Sequence, residues 1–492
     1  MRTPSRQIQL TFILLAAAAI IVVARVWLAG DLPLTDTTES RYSEMARKMV
    51  ETGDWLMPQH DYGVPYMAKP PLAIWLSAIG IRLFGAGELG PRLLTLLTSV
   101  GFLGYLYRWV RRELNREAAA AAILILMSSA LFFLAMGAVM TDLVLVACVD
   151  VALLAFWRRA NGGGPDNELL LFVAMAFGIL TKGPLAAFLV IAPIGAWSVL
   201  CGKTKSSWTQ IAWIKGSLLT ALIALPWYLA AEWQHPGFLR YFLVGENVKR
   251  FLVSDWQGDQ YGPVHELPHG TIWLFFVIAA LPWSIIGPLV LLRSRTVVRD
   301  SWQTHRELLI FLLVAAAIPL LLFTAAQNVI FPYALPALAP SVIAVLVLLS
   351  DSVRRPRFAV TTAIIATMTT AVIVATTTIW HDKIEAESER ELVAVVTTEL
   401  GLPADSLRYW RHRYYSAEYY SRGHVSVIKT PEQIKQALRT DDSAVFAMTA
   451  DQYDALPQEL QASLHHVGDY SKKSLYAPTN MSATAALSAV WH

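Results

Sequence analysis

Apolar residues in this chain fall into long unbroken runs rather than the short alternations of a water-soluble domain. The runs at 10–28, 211–231, 272–292, 331–349 and 358–380 each approach the roughly 20 apolar residues that cross a bilayer as a helix. Others fill 91–109, 118–137, 143–157, 169–181, 185–200 and 308–323. The pattern predicts an all-α polytopic membrane bundle of about eleven spans. One further run, 72–84, is apolar but short, carries Arg82 and follows Pro70-Pro71. Whether it crosses or lies flat sets the orientation of everything after it.

The basic residues decide between the two. They cluster in alternate loops: Arg108, Arg111, Arg112 and Arg116; Arg158 and Arg159; Lys203 and Lys205; Arg293, Arg295, Arg299 and Arg306; Arg354, Arg355 and Arg357. The short loops between them hold essentially Lys182 alone. Cytoplasmic loops carry the excess of Lys and Arg. Only an interfacial 72–84 puts all these clusters on the same side as Arg2 and Arg6. The expected outer regions are then the loops 30–90 and 232–270 and the tail after Trp380.

Composition supports this picture and narrows it. The chain is 55% hydrophobic and 16% charged, outside the range of soluble globular domains. Its net charge of +3 is small and sits beside span ends, so it reports topology and excludes nucleic-acid binding. The first run follows Arg2 and Arg6 like a signal peptide but lacks a small-residue cleavage site, so it reads as a retained anchor. Cys148 and Cys201 make no disulfide framework or metal pattern. After Trp380 the composition turns polar, with a helix start at Pro431 and strand-like segments at 424–428 and 444–448. The expected division is a membrane domain, 1–380, and a small α/β domain, 381–492.

Charges at membrane depth are costly and mark function. With the topology set, Asp36, Glu39, Arg41, Tyr42 and Lys69 lie in the first outer loop. Asp142 starts the fourth span, and Lys182 sits in a Thr-Lys-Gly-Pro turn. Glu246, Arg250, His265 and His269 lie in the second loop, and Asn328 and Tyr333 at a later outer junction. Residues some 300 positions apart thus meet one face. Lys69, Lys182, Arg250 and Arg41 suit a leaving phosphate whose charge grows as a bond breaks. Asp36, Glu39 and Asp142 suit the orientation or deprotonation of a hydroxyl. Blander readings stand beside these. Asp36 and Glu39 also suit a helix cap, Arg250 a pair with Glu246 at i+4, and Lys182 a lipid headgroup contact. His265 and His269 have metal spacing, but Pro268 between them breaks a regular helix. The aromatic run 409–420 reads as domain core or as a carbohydrate-stacking surface.

The ordered series of these motifs resembles the aminoarabinose transferase and protein O-mannosyltransferase superfamily, of GT-C fold. It comprises Asp36-Thr-Thr-Glu39-Ser-Arg41-Tyr42, Thr52-Gly53-Asp54-Trp55, Lys69-Pro70-Pro71-Leu72, Met140-Thr141-Asp142, Thr181-Lys182-Gly183-Pro184, Glu246 to Phe251, and Tyr333-Ala334-Leu335-Pro336. The resemblance covers residues 10 to 350. It implies a bacterial inner-membrane glycosyltransferase with interfacial helices in its first loop. The family's donor is a polyprenyl-phosphate-linked sugar, the acceptor lipid A, another glycan or lipid, or a protein, and the anomeric carbon inverts. Catalytic roles would fall to Asp36, Glu39 and Asp142. Donor-phosphate contacts would fall to Arg41, Lys69, Lys182, Arg250 and Tyr333, and other substrate contacts to Tyr42, Glu246 and Asn328. Two departures stand out. Thr38-Glu39 occupies the place of an Asp-Glu pair, and Ala68 replaces an acid that helps hold zinc in the aminoarabinose transferases. No cofactor is therefore expected, and a divalent metal has only His265 and His269 to favour it. The competing reading, a transporter or flippase of a lipid-linked sugar, predicts inverted repeats and a polar midplane; the sequence has no repeat, and its charges sit near span ends.

Overall fold

The computed structural model describes residues 4–253, 256, 258, 261, 267–326, 328–353, 356–470 and 472–479. Every apolar run of the sequence becomes helical. The first nine α-helices are α1 (Pro4–Asp31), α2 (Thr38–Thr52), α3 (Leu72–Phe84), α4 (Leu89–Glu113), α5 (Arg116–Ser128), α6 (Ala130–Ala135), α7 (Thr141–Ala160), α8 (Pro165–Lys182) and α9 (Pro184–Leu200). Long helices follow at Trp213–Gln234, Arg306–Thr324, Leu338–Leu348 and Pro356–Ile379.

Among the described residues, six helical segments are long and apolar enough to cross a membrane. A seventh is a pair, Thr271–Ala279 and Trp283–Arg293, bent by 83°. Helices α7 and α8 fall outside that set because of their charges: Asp142, Asp150, Arg158 and Arg159 on one, Asp166, Glu168 and Lys182 on the other. They are nonetheless central. Helix α7 is buried along nearly its whole length and packs on α8, α4 and α9. Phe132, Phe133, Phe156, Phe172 and Phe311 fill the surrounding core.

Helix α3 has 13 residues and so spans about 20 Å, too short for a hydrocarbon core of about 30 Å. It packs on α2 and α4. Helix α2 closes at Gly53, whose left-handed φ of 73° lets its N–H reach the Met49 carbonyl. Between α2 and α3 runs a hairpin of β1 (Gln59–Asp61) and β2 (Val64–Pro65).

The tail folds into a five-stranded sheet of β3 (Leu407–Trp410), β4 (Ser426–Ile428), β5 (Val445–Met448), β6 (Leu464–Tyr470) and β7 (Lys473–Pro478). The order is β4-β3-β5-β7-β6, parallel across β4-β3-β5 and antiparallel beyond. Alternate residues feed two cores, as strand geometry requires. Leu407, Tyr409, Val445, Ala447 and Leu475 face one layer, and Trp410, Phe446, Met448 and Tyr476 the other. The helix predicted at Pro431 spans Pro431–Thr440 and is held by a Thr430–Gln433 capping box.

This domain docks on the first loop through polar contacts. Asp36 accepts from Ser40 (2.7 Å) and from the backbone N–H (3.1 Å) and hydroxyl of Ser416. Lys48 pairs with Glu418 at 3.3 Å, and Glu418 also takes Arg413. Tyr419 donates to the Gly87 carbonyl, and the Leu34 N–H donates to Tyr420. The aromatic run 409–420 therefore divides: Tyr409 is core of the sheet domain, while Tyr415, Tyr419 and Tyr420 meet the first loop.

Candidate active site

The turn Thr181-Lys182-Gly183-Pro184 ends α8 and starts α9. Gly183 has φ of 64°, and a Cβ there would meet the Phe242 ring at 2.5 Å. Only glycine meets both conditions, and the sharp reversal leaves Lys182 in the last turn of α8. Its Nζ donates to Asp142 Oδ1 at 2.7 Å and lies 4.7 Å from the centre of the Tyr333 ring. Tyr333 stacks on Phe323, with ring centres 4.4 Å apart. Asp142 occupies the first turn of α7, where the helix dipole favours a carboxylate. Asp142 and Lys182 are both buried.

Opposite this pair, Arg240–Lys249 is a π-helix, whose wide turns recur at functional sites. It delivers Glu246, which accepts from Arg250 at 3.0 Å and Tyr241 at 3.0 Å and pairs with Lys69 at 3.4 Å. The expected i+4 pair of Glu246 with Arg250 is present. Burial favours the neutral form of Glu246, but Lys69 and Arg250 outweigh it and hold the carboxyl below its ordinary range.

These groups enclose a cavity of about 390 Å³. Lys69, Lys182, Glu246, Arg250, Asn328 and Tyr333 line its polar part, and Leu185, Phe188, Phe251, Leu322 and Phe323 its apolar part. Three cations beside an apolar wall suit an anionic amphiphile. Six of the residues singled out in the sequence thus share one cavity, and Asp142 reaches it through Lys182.

The other candidates lie elsewhere. Asp36 is engaged by Ser40 and the C-terminal domain, as above. Glu39 forms a bidentate pair with Arg92 at 2.8 and 2.6 Å and accepts the Val139 N–H at 3.1 Å. Burial raises the Glu39 carboxyl, yet Arg92 brings it below its ordinary value. Arg92 also donates to the Ala29, Leu32 and Pro33 carbonyls. Like Asp142, neither acid lines the cavity itself; each is engaged within the first loop. Arg41 also lies outside it. Its guanidinium donates to the Tyr261 carbonyl at 2.7 Å and sits 5.4 to 6.0 Å from the rings of Tyr42, Tyr66 and Tyr415. His269 contacts the Thr324 carbonyl, and His265 lies outside the described residues. Among the described residues no three His, Cys, Asp or Glu side chains are grouped to hold a metal.

Sequence reasoning missed Arg92 and the aromatic chamber of His60, Tyr66, Tyr261 and Tyr415 around Arg41. A signal for Arg92 existed, since it is a charge at the start of an apolar span. None marked the chamber, whose rings come from three separate segments.

Fold and site together define a multi-pass membrane protein with a charged, amphiphile-sized cavity at one end of its bundle. Comparison with known proteins agrees. The family model for dolichyl-phosphate-mannose-protein mannosyltransferase matches residues 8–242. An undecaprenyl phosphate-α-4-amino-4-deoxy-L-arabinose arabinosyl transferase of Edwardsiella ictaluri is 30% identical over 61% of this chain and 53% of its own length. One from Pseudomonas fluorescens (strain Pf0-1) is 27% identical over 61% and 51%. The chain spans about half the length of the curated relatives it matches. Among solved structures, ArnT of Cupriavidus metallidurans without ligand superposes with a TM-score of 0.77 at 16% identity, covering 98% of this chain and 99% of that one. The same protein bound to undecaprenyl phosphate gives 0.75, covering 95% and 98%. Over residues 8–242 the chain thus resembles the mannosyltransferase family, and along nearly its whole length it shares the fold of the ArnT structures.

Proposed function

We propose that this chain is an inverting glycosyltransferase that moves a sugar from a polyprenyl phosphate to an envelope acceptor at the periplasmic face of the inner membrane. The observation that carries the reading is the joining of Lys69, Lys182, Arg250 and Tyr333 around one cavity with an apolar wall. The phosphate sits among the cations while the first isoprene units run along Leu185, Phe188 and Phe323. The acceptor hydroxyl attacks the anomeric carbon from the face opposite the phosphate. The sugar–oxygen bond breaks, its electron pair leaves on the phosphate, and the cations stabilise that charge. Asp142 takes the hydroxyl proton, with Lys182 sharing its charge between carboxylate and phosphate. Asp36 and Glu39 serve by holding the first loop.

The same geometry supports the proposed topology. Ends of the chain near 69, 182, 250 and 333 share the cavity, while Glu113, Asn161, Cys201 and Arg306 share a cleft of about 530 Å³. The second group belongs to basic loops, which the positive-inside rule assigns to the cytoplasm. A flat α3 and about eleven spans reconcile these placements.

The test is turnover in proteoliposomes holding the full chain, polyprenyl-phosphate-linked sugars and envelope glycolipid extract. Transfer consumes the donor and adds sugar mass to an acceptor, read by mass spectrometry. Donor that crosses the bilayer chemically intact contradicts the reading and favours the transporter.

A further inference from the structure

The C-terminal domain reaches the aromatic chamber around Arg41 through Tyr415. Tyr415, on the short helix Tyr415–Tyr420, lies over the first loop beside Arg41. Its ring centre is 6.0 Å from the Arg41 guanidinium carbon and 5.0 Å from that of Arg413, within cation–π range of both. Its hydroxyl is 3.4 Å from His60 Nε2, and the two rings meet edge to face.

Arg41 is peculiar in its surroundings. No carboxylate lies within ion-pair range of it among the described residues, and its Nε is buried without a hydrogen-bond partner. What holds it is the Tyr261 carbonyl and three tyrosine rings. A half-buried cation depends on such packing for its position. Two of the three rings, Tyr42 and Tyr66, belong to the first loop; the third comes from a domain more than 370 positions away in sequence. The chamber packs against the wall of the donor cavity. Tyr261 packs on Tyr66 at 4.6 Å and on Tyr241 at 6.1 Å, and Tyr241 donates to Glu246 of the cavity wall.

We infer that Tyr415 is a positioning residue for Arg41, and that the C-terminal domain thereby braces the first loop beside the donor cavity. The inference rests on the transferase reading only for its kinetic arm. The domain is then part of the catalytic unit and not an appendage, since the docking contacts of Asp36 with Ser416 and of Lys48 with Glu418 serve to seat Tyr415.

The experiment compares full-length Tyr415→Ala, Tyr415→Phe and wild type in three measurements. The first is the rate of phenylglyoxal modification at Arg41, followed by peptide mass spectrometry. It should rise about tenfold in the Ala variant and stay near wild type in the Phe variant, which keeps the ring. The second is turnover in the proteoliposome assay, expected to fall at least tenfold in Ala and to recover to within about threefold in Phe. The third is affinity for undecaprenyl phosphate, expected to stay within twofold in both, because Tyr415 does not line the donor cavity. Unchanged Arg41 reactivity in the Ala variant overturns the inference. So does a parallel loss of undecaprenyl phosphate affinity, which would make Tyr415 a structural residue only. If wild type consumes no donor, the transferase reading fails, and Arg41 reactivity still decides whether Tyr415 holds it.

Discussion

At the scale of single residues, the account turns on two buried ion pairs with different duties. Asp142 and Lys182 meet at 2.7 Å, with side chains 11% and 7% exposed. Removing one partner strands a buried charge at a cost of about 3–5 kcal/mol. Replacing both by neutral isosteres restores much of that. Lys182→Met and Asp142→Asn should therefore each lower thermal stability, and the double variant should regain it. Turnover should remain about 100-fold or more below wild type in all three. A double variant that recovers both stability and turnover would make the pair purely structural. Glu39 and Arg92 form the second pair. Glu39→Gln keeps the shape but leaves Arg92 buried without its counter-charge, so a stability loss of about 3 kcal/mol is expected, measurable by thermal unfolding in detergent. Asp142 and Lys182 were legible as charges interrupting apolar runs. The partner of Glu39 was not, because Arg92 lies 53 positions away and nothing in a local pattern links them. The choice among Asp36, Glu39 and Asp142 likewise needed the fold, which ties Asp36 and Glu39 to the first loop and Asp142 to a lysine of the cavity wall.

At the scale of elements, short segments carry the site. The Lys182–Gly183 turn depends on a positive φ and on space for Phe242. Gly183→Ala strains the backbone and displaces Phe242 from the π-helix, so turnover should drop while the spans stay folded, as far-ultraviolet circular dichroism would show. The hairpin β1–β2 places His60 among like charges. Burial first, then Arg413, Arg41 and Lys48, lower its pKa from 6.5 to about 4, against a weaker opposite pull from Asp61. The unfolded imidazole binds its proton near 6.5 and the folded one near 4, so between these values the unfolded state holds more protons. Stability then rises with pH across that window and is lost as pH falls from about 6.5 toward 4. His60→Gln should flatten this part of the thermal-stability profile; an unchanged slope would locate the titration elsewhere. The helices themselves were legible from apolar run length. Their breaks, at Ser129 and between Thr271–Ala279 and Trp283–Arg293, were not. A break inside an apolar run depends on what packs around it.

At the scale of the whole molecule, the C-terminal domain and the first loop act as one body. The strands at 424–428 and 444–448 and the helix at Pro431 were legible from alternation and from the Thr-Pro-Glu-Gln start. The strand order was not, since parallel pairing of β3 with β4 and β5 joins segments that share no turn. Nor was the dock, which couples Lys48 to a glutamate 370 positions away. Glu418→Ala removes the shortest ion pair of both Lys48 and Arg413, so limited proteolysis should cut faster in the segment linking the bundle to the sheet. The central claim is that the cavity of Lys69, Lys182 and Arg250 holds the phosphate of a polyprenyl carrier. The most direct measurement is the affinity of the purified full chain for undecaprenyl phosphate at fixed ionic strength, with Lys69→Met, Lys182→Met and Arg250→Met compared against wild type and the surface variant Lys435→Ala. The account predicts at least tenfold weaker binding in each of the first three and none in Lys435→Ala. Equal affinity across all five proteins would contradict it.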